Sequence, residues 1–185
     1  MTKLVANFGR VNNGHGTTPD FDAETRAANG ITQLPLAIRY VPGATVGDVL
    51  AEAHRERAIH GALDLVVVDY LQIMGTPQER GQTRAAAIGA ITRELKTLAG
   101  KLGAAILVGS QLNREGSAAA SGPAPVPQLF HLRESGDIEQ DSSVVLMLHD
   151  PQDKESPELR ALYVRKQRNG KTGKVDLIAK FEYST

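Results

Sequence analysis

The chain has 185 residues, 41% hydrophobic, 23% charged and 4% aromatic, with 21 basic and 21 acidic side chains and neither Cys nor Trp. That size and balance fit one globular domain with an aliphatic core. They exclude disulfides and thiolate metal sites and leave no apolar run near the ~18 residues a membrane helix needs, so a cytoplasmic protein with no membrane partner is expected.

Residues 1–30 are polar, with turn signals at Asn12-Asn13-Gly14-His15-Gly16 around weak helical patterns, and are the least assigned part of the chain. Leu34 to Val41 reads as a short strand ended by Pro42-Gly43. Thr45, with Asp48 three residues on, has the form of a helix N-cap, and Val46, Val49, Leu50 and Ala53 recur at helical spacing before Gly61. Leu63 to Val68 is a β-branched run ending in Asp69, the pattern of a parallel strand buried on both faces.

From Arg84 to Leu102, the residues Ile88, Ile91, Leu95, Leu98 and Leu102 form one helical stripe, closed by Gly103. Ala104 to Val108 predicts a second buried strand, ending in Gly109-Ser110-Gln111. Glu115 to Pro127 is rich in Gly, Ala, Ser and Pro without an apolar period, so residues 114–130 are expected to be a mobile loop. Ser143 to Leu148 is a third strand candidate. Leu159 to Arg168 and Val175 to Phe181 then flank Asn169-Gly170, a hairpin signal. Alternating strands and helices followed by this hairpin predict an α/β domain, with a mainly parallel sheet and a C-terminal antiparallel hairpin.

Polar groups stand where such sheets place their sites, at the C-terminal ends of strands. Asp69 follows an apolar strand, where a carboxylate needs a cation, a metal or a hydroxyl partner. One Asp suffices for a hydrated Mg2+ beside phosphates, and the simpler reading is a helix-capping Asp. Gln111 offers a donor and an acceptor at the next strand exit; its simpler role is to cap loop backbone. Arg133 and Glu134 alone would be a surface ion pair of little worth. Yet Arg133 carries a forked donor, and Gly136 lets a phosphodiester approach the backbone. Lys166 and Arg168 are two apart in a predicted strand and so aim at one target. Six of the fifteen residues from Arg160 to Lys174 are Lys or Arg, which suits either nucleic-acid contact or a solvated face. Gly170-Lys171-Thr172 mimics the end of a phosphate-binding loop, but Arg165 stands where the first Gly is required and the segment joins two strands.

Four segments taken in order, Leu65 to Gln72, Val108 to Arg114, Leu132 to Asp141 and Lys166 to Gly170, resemble the C-terminal ATPase domain of DnaB-type replicative DNA helicases, a RecA-like motor. The resemblance implies a partial RecA-like P-loop NTPase domain over residues 1–185, using ATP and Mg2+. Asp69 falls at the Walker B position, holding Mg2+ through water, and Gln111 at the sensor of the Ser110-Gln111-Leu112-Asn113-Arg114 segment. Arg133, Glu134 and Gly136 fall in the loop that grips single-stranded DNA, and Lys166 and Arg168 in the pair that reaches a neighbour's nucleotide across a hexameric ring. The family's Walker A loop, the strand before it and its catalytic glutamate lie upstream of anything in this sequence. A separate Walker A-bearing chain, a primase or a loader are therefore further expected partners, and the alternative is a non-catalytic DNA- or partner-binding helicase paralogue.

Overall fold

The computed structural model of the chain describes residues 21–32, 34–75, 83–113, 125–132 and 135–180. In chain order they form α1 (Phe21–Thr32), α2 (Val46–His60), β1 (Leu65–Val68), a single 3-10 turn (Leu71–Ile73), α3 (Arg84–Leu102), β2 (Ala105–Val108), a second 3-10 turn (Leu129–His131), α4 (Ser135–Asp141), β3 (Val144–His149), β4 (Leu159–Gln167) and β5 (Gly173–Ile178).

The helix boundaries follow from their caps. Thr45 Oγ1 accepts from Asp48 N at 3.3 Å, and Asp48 Oδ2 accepts from Thr45 N at 2.8 Å, closing a capping box at the start of α2. The Thr45 N–H, and the Thr45 hydroxyl donating to the same oxygen at 2.7 Å, hold the Asp48 carboxyl below the usual carboxylate range. Gly61 and Gly103 end α2 and α3 with φ of 77° and 60°, a conformation that a Cβ disfavours. The stripe expected on α3 is the centre of the core: Ile88, Ile91, Leu95, Leu98 and Leu102 are each 1–4% exposed. Leu71, Leu132, Ile138, Val145 and Met147 belong to the same cluster.

β1 and β2 pair in parallel from Leu65↔Ala105 to Val68↔Val108. β3, β4 and β5 form a separate antiparallel sheet, in which Val144 lies opposite Gln167 and Leu159 opposite Ile178. The parallel part is thus a pair, and the C-terminal hairpin carries β3 with it. Among the described residues β2 pairs only with β1, and β3 only with β4, so each has one edge without a strand neighbour.

Two expectations are corrected. Leu34 to Val41 is extended but pairs with no strand among the described residues, and its apolar side chains are exposed. It is fastened instead to α2 by Arg39, which bonds Glu52 and Glu56. β1 and β2 are not buried on both faces. Val66, Val68, Ile106 and Val108 pack on the α3 core, while Leu65, Val67 and Leu107 are exposed on the far side, since α3 covers only one side of the pair. Of the segment read as a loop, residues 125–130 are described: Pro127 is fully buried and Leu129 begins a 3-10 turn, whereas residues 114–124 lie outside the described residues.

Candidate functional site

The parallel register brings the two strand exits together. Val68 opposite Val108 puts Asp69 beside Gly109, and the exits are laced by Gly109 N donating to Val68 O and Leu71 N donating to Gly109 O, both at 2.9 Å. A Cβ on Gly109 would lie 3.3 Å from Tyr70 Cβ and 3.5 Å from Asp69 Oδ1, so the carboxylate sits against the loop that leads to Gln111. Asp69 is exposed, and its carboxylate has no hydrogen bond or ion pair among the described residues.

Gln72 ties the two loops. Its Oε1 accepts from Gln111 N at 3.2 Å and its Nε2 donates to Ser110 Oγ at 3.1 Å. Using both ends of one amide fixes the Gln111 backbone while the Gln111 side chain stays exposed. Sequence reasoning gave Gln72 no role. Its signal was available: an amide placed three residues beyond a strand-ending carboxylate.

Just beyond Gln111 the backbone is bonded to the segment that precedes Arg133 in the sequence. Asn113 N donates to His131 O at 2.7 Å, Asn113 Nδ2 donates to Phe130 O at 3.3 Å, and Leu112 bridges Leu132. Buried His131 locks this turn by accepting from Gln128 N at Nδ1, 3.0 Å. Arg133 and Glu134 lie outside the described residues. Gly136, in the first turn of α4, is exposed, and a Cβ there would meet nothing within 4 Å, so no packing in the described chain requires glycine at that place.

Lys166 and Arg168 do converge on one target, and it lies within the chain. Lys166 stands opposite Val145 in the β3–β4 ladder. Its Nζ donates to Glu139 O and, at 3.4 Å, to Gln140 O, while an Arg168 guanidinium N–H donates to Gln140 O at 2.8 Å. Both cations thus rest on the last turn of α4.

Among the described residues no group of three or more Asp, Glu or His side chains could hold a metal between them. Asp69 alone, accessible and unpaired, fits an ion that keeps most of its waters, as Mg2+ does. A shallow groove between α2 and α3, bordered by Val46, Leu50, Arg93 and Lys101, contains none of these residues. Gly170-Lys171-Thr172 lies in the β4–β5 connection with no helix after it, so it cannot cradle a phosphate as a strand-to-helix loop would.

The DnaB-like helicase C-terminal domain family matches residues 2–185. The chain belongs to this family. It is 37% identical over 166 residues to the replicative DNA helicase DnaB of Mycobacterium leprae (strain TN), covering 88% of this chain and 27% of that protein. To the replicative DNA helicase DnaC of Bacillus subtilis (strain 168) it is 30% identical over 182 residues, covering 96% and 39%. Among solved structures, a DnaB-like replicative helicase studied with its interactions with primase superposes with a TM-score of 0.86 at 25% identity, over 98% of this chain and 45% of that one. A solved ATPase domain gives the same TM-score and identity over 99% and 67%. The α/β fold expected from sequence is therefore that of DnaB-like ATPase domains. This chain spans between about a quarter and two fifths of the length of the curated relatives it matches. Among the described residues no helix is long and apolar enough to cross a membrane.

Proposed function

We propose that this DnaB-like chain contributes part of an ATP-dependent replicative helicase motor, a hexameric ring that binds single-stranded DNA and separates duplex DNA. The carrying observation is that the strand exits bearing Asp69 and Gln111 are tied by Gly109 N to Val68 O, Leu71 N to Gly109 O and Gln72 to Ser110 and Gln111, while Asn113, two residues beyond Gln111, is hydrogen-bonded to His131, two residues before Arg133 in the sequence. A group that senses nucleotide at the strand exits is thereby joined to a group that contacts DNA. In this reading Asp69 holds hydrated Mg2+, which when bound would neutralise phosphate charge. Gln111 reports the nucleotide's state, and Arg133, Glu134 and Gly136 meet the DNA backbone. Lys166 and Arg168 reach a neighbouring protomer's phosphates.

The described residues supply no Gly-rich cradle, so tight phosphate binding has to come from a Walker A-bearing polypeptide segment. Among the described residues β2 and β3 each keep one edge without a strand neighbour, and Leu65, Val67, Leu107, Val144, Leu146 and Leu148 are exposed, which suits such an occupant. A second reading, on the described residues alone, is a non-catalytic DNA-binding module that joins a helicase ring.

Hydrogen exchange and fluorescence anisotropy on the purified chain separate the two. Both readings expect salt-sensitive single-stranded DNA binding that drops with Arg133→Ala. The motor reading further expects ATP with Mg2+, added together with a polypeptide that carries a Walker A segment, to slow exchange at residues 109–111, an effect lost in Asp69→Ala. The module reading expects no nucleotide effect. Absence of DNA binding would refute both.

A further inference from the structure

The three residues of the turn Leu129–His131 do not point alike. Leu129 packs against the core and His131 is 6% exposed, whereas Phe130 between them is 63% exposed. A single exposed apolar side chain is ordinary on a protein surface. Phe130 differs in how firmly its backbone is held. Phe130 O accepts from Asn113 Nδ2 at 3.3 Å, His131 N donates to Gln128 O at 2.9 Å, and Leu132 N donates to Leu129 O at 3.0 Å. Ahead of the turn, Pro127 is fully buried and its carbonyl accepts from Arg165 Nε at 2.7 Å. The His131 imidazole meets the Phe130 ring edge to face, with centroids 4.2 Å apart and planes at 67°. The ring is thus braced by its neighbour while most of it stays open to solvent.

The turn is also tied to the strand exits. Asn113, which bonds both Phe130 and His131, stands two residues beyond Gln111, whose N–H is held by Gln72. A bare aromatic ring on a fixed turn presents a flat π surface and gives up little freedom when it is covered. Its complement is another flat π system, as every nucleobase is. Leu129 and His131 turn inward, so the turn offers one ring and not the broad apolar patch that a protein partner buries.

We propose that Phe130 is a platform on which a nucleobase stacks. This rests on the reading that the chain handles single-stranded DNA and nucleotide. It goes beyond that reading by adding a contact to bases, where the residues already named meet backbone and phosphate. The base comes from the DNA strand or from the nucleotide, and the π chemistry is the same for both. Stacking tolerates any sequence, which suits a protein that acts on DNA without regard to its sequence.

The chain has no Trp, so Phe130→Trp places a single indole at the platform. Its fluorescence is expected to be quenched by single-stranded oligothymidylate if the strand supplies the base, and by ATP if the nucleotide does. Quenching by neither overturns the proposal. Anisotropy on the full chain adds the affinities. With the strand as source, Phe130→Ala should weaken oligothymidylate binding about 5- to 150-fold, the range for one lost base stack. The slope of log affinity on log salt should not change, because no phosphate contact is removed. Phe130→Leu, apolar but without a π face, should lose nearly as much, and an oligonucleotide of abasic sites should bind the unsubstituted chain and Phe130→Ala equally. A loss in Phe130→Ala that Phe130→Leu restores overturns the proposal, since that marks plain apolar contact. So does an equal loss on the abasic oligonucleotide. Oligothymidylate that binds while neither ligand quenches means that the platform alone has failed; an unsubstituted chain that binds no DNA means that the DNA reading itself has failed.

Discussion

Along β3, Val145, Met147 and His149 are 7%, 3% and 8% exposed, while Val144, Leu146 and Leu148, one residue away on the same strand, are 49%, 48% and 62% exposed. β1 and β2 repeat the contrast: Val66, Val68, Ile106 and Val108 turn toward α3, and Leu65, Val67 and Leu107 turn away. The residue types on the two faces are nearly the same. The face that meets α3 is a core, and the opposite face is an aliphatic surface of a kind monomeric proteins seldom leave uncovered.

The sharpest way to break this comparison is to truncate each face once. Leu95→Ala on α3 should cost about 2–5 kcal/mol, because it removes buried atoms and leaves a cavity. Leu107→Ala on the open face should cost about 0.5 kcal/mol or less, as surface substitutions do. Urea unfolding of the two variants measures both, and equal losses would mean that the open face is already covered in the isolated chain.

Gly89→Ala probes the contact between the core and α4. The added methyl meets Asp137 and must displace it from Arg93. Crowding of about 1–3 kcal/mol is partly offset by the ~1 kcal/mol that Ala gains over Gly within a helix. A net loss of about 1 kcal/mol, with faster exchange in α4 than in α3, is the expected outcome. Smaller again, Thr45→Ala removes the α2 cap and should cost about 1 kcal/mol or slightly less in thermal unfolding. It should leave the contrast between the strand faces untouched.

The least effect is expected from pH. Burial of His149 on the core side lowers its pKa, aided by Lys174 and Arg165 and opposed by Asp150. Unfolding therefore takes up a proton at His149, so its contribution to stability is complete above the ordinary imidazole value of ~6.5 and is lost as pH falls below that value. His149→Gln should flatten the pH dependence of unfolding in that window. A steeper dependence in the variant would contradict the assignment.

Local signals read true in this chain. The α3 boundaries, Arg84 to Leu102, and the Thr45–Asp48 capping box were legible because spacing and cap residues lie within a turn of one another. The β4–β5 hairpin was legible from Asn169-Gly170. Leu34 to Val41 was misread because an apolar run becomes a strand only where a partner edge exists. Asp69 and Gln111 were found as strand-exit groups, and the register brings their loops together. Gln72 was missed, since its partners lie 38 and 39 residues away.

The sequence alone determined α2, α3, the hairpin, the family and the positions of the β1 and β2 exits, because each rests on patterns a few residues long. Only the tertiary structure decided which face of each strand is covered. It alone brought Lys166 and Arg168 onto carbonyls 27 and 28 residues back along the chain. Such pairings depend on how α4 settles against α3 and on the register of β3 with β4, and no short-range rule of spacing encodes either.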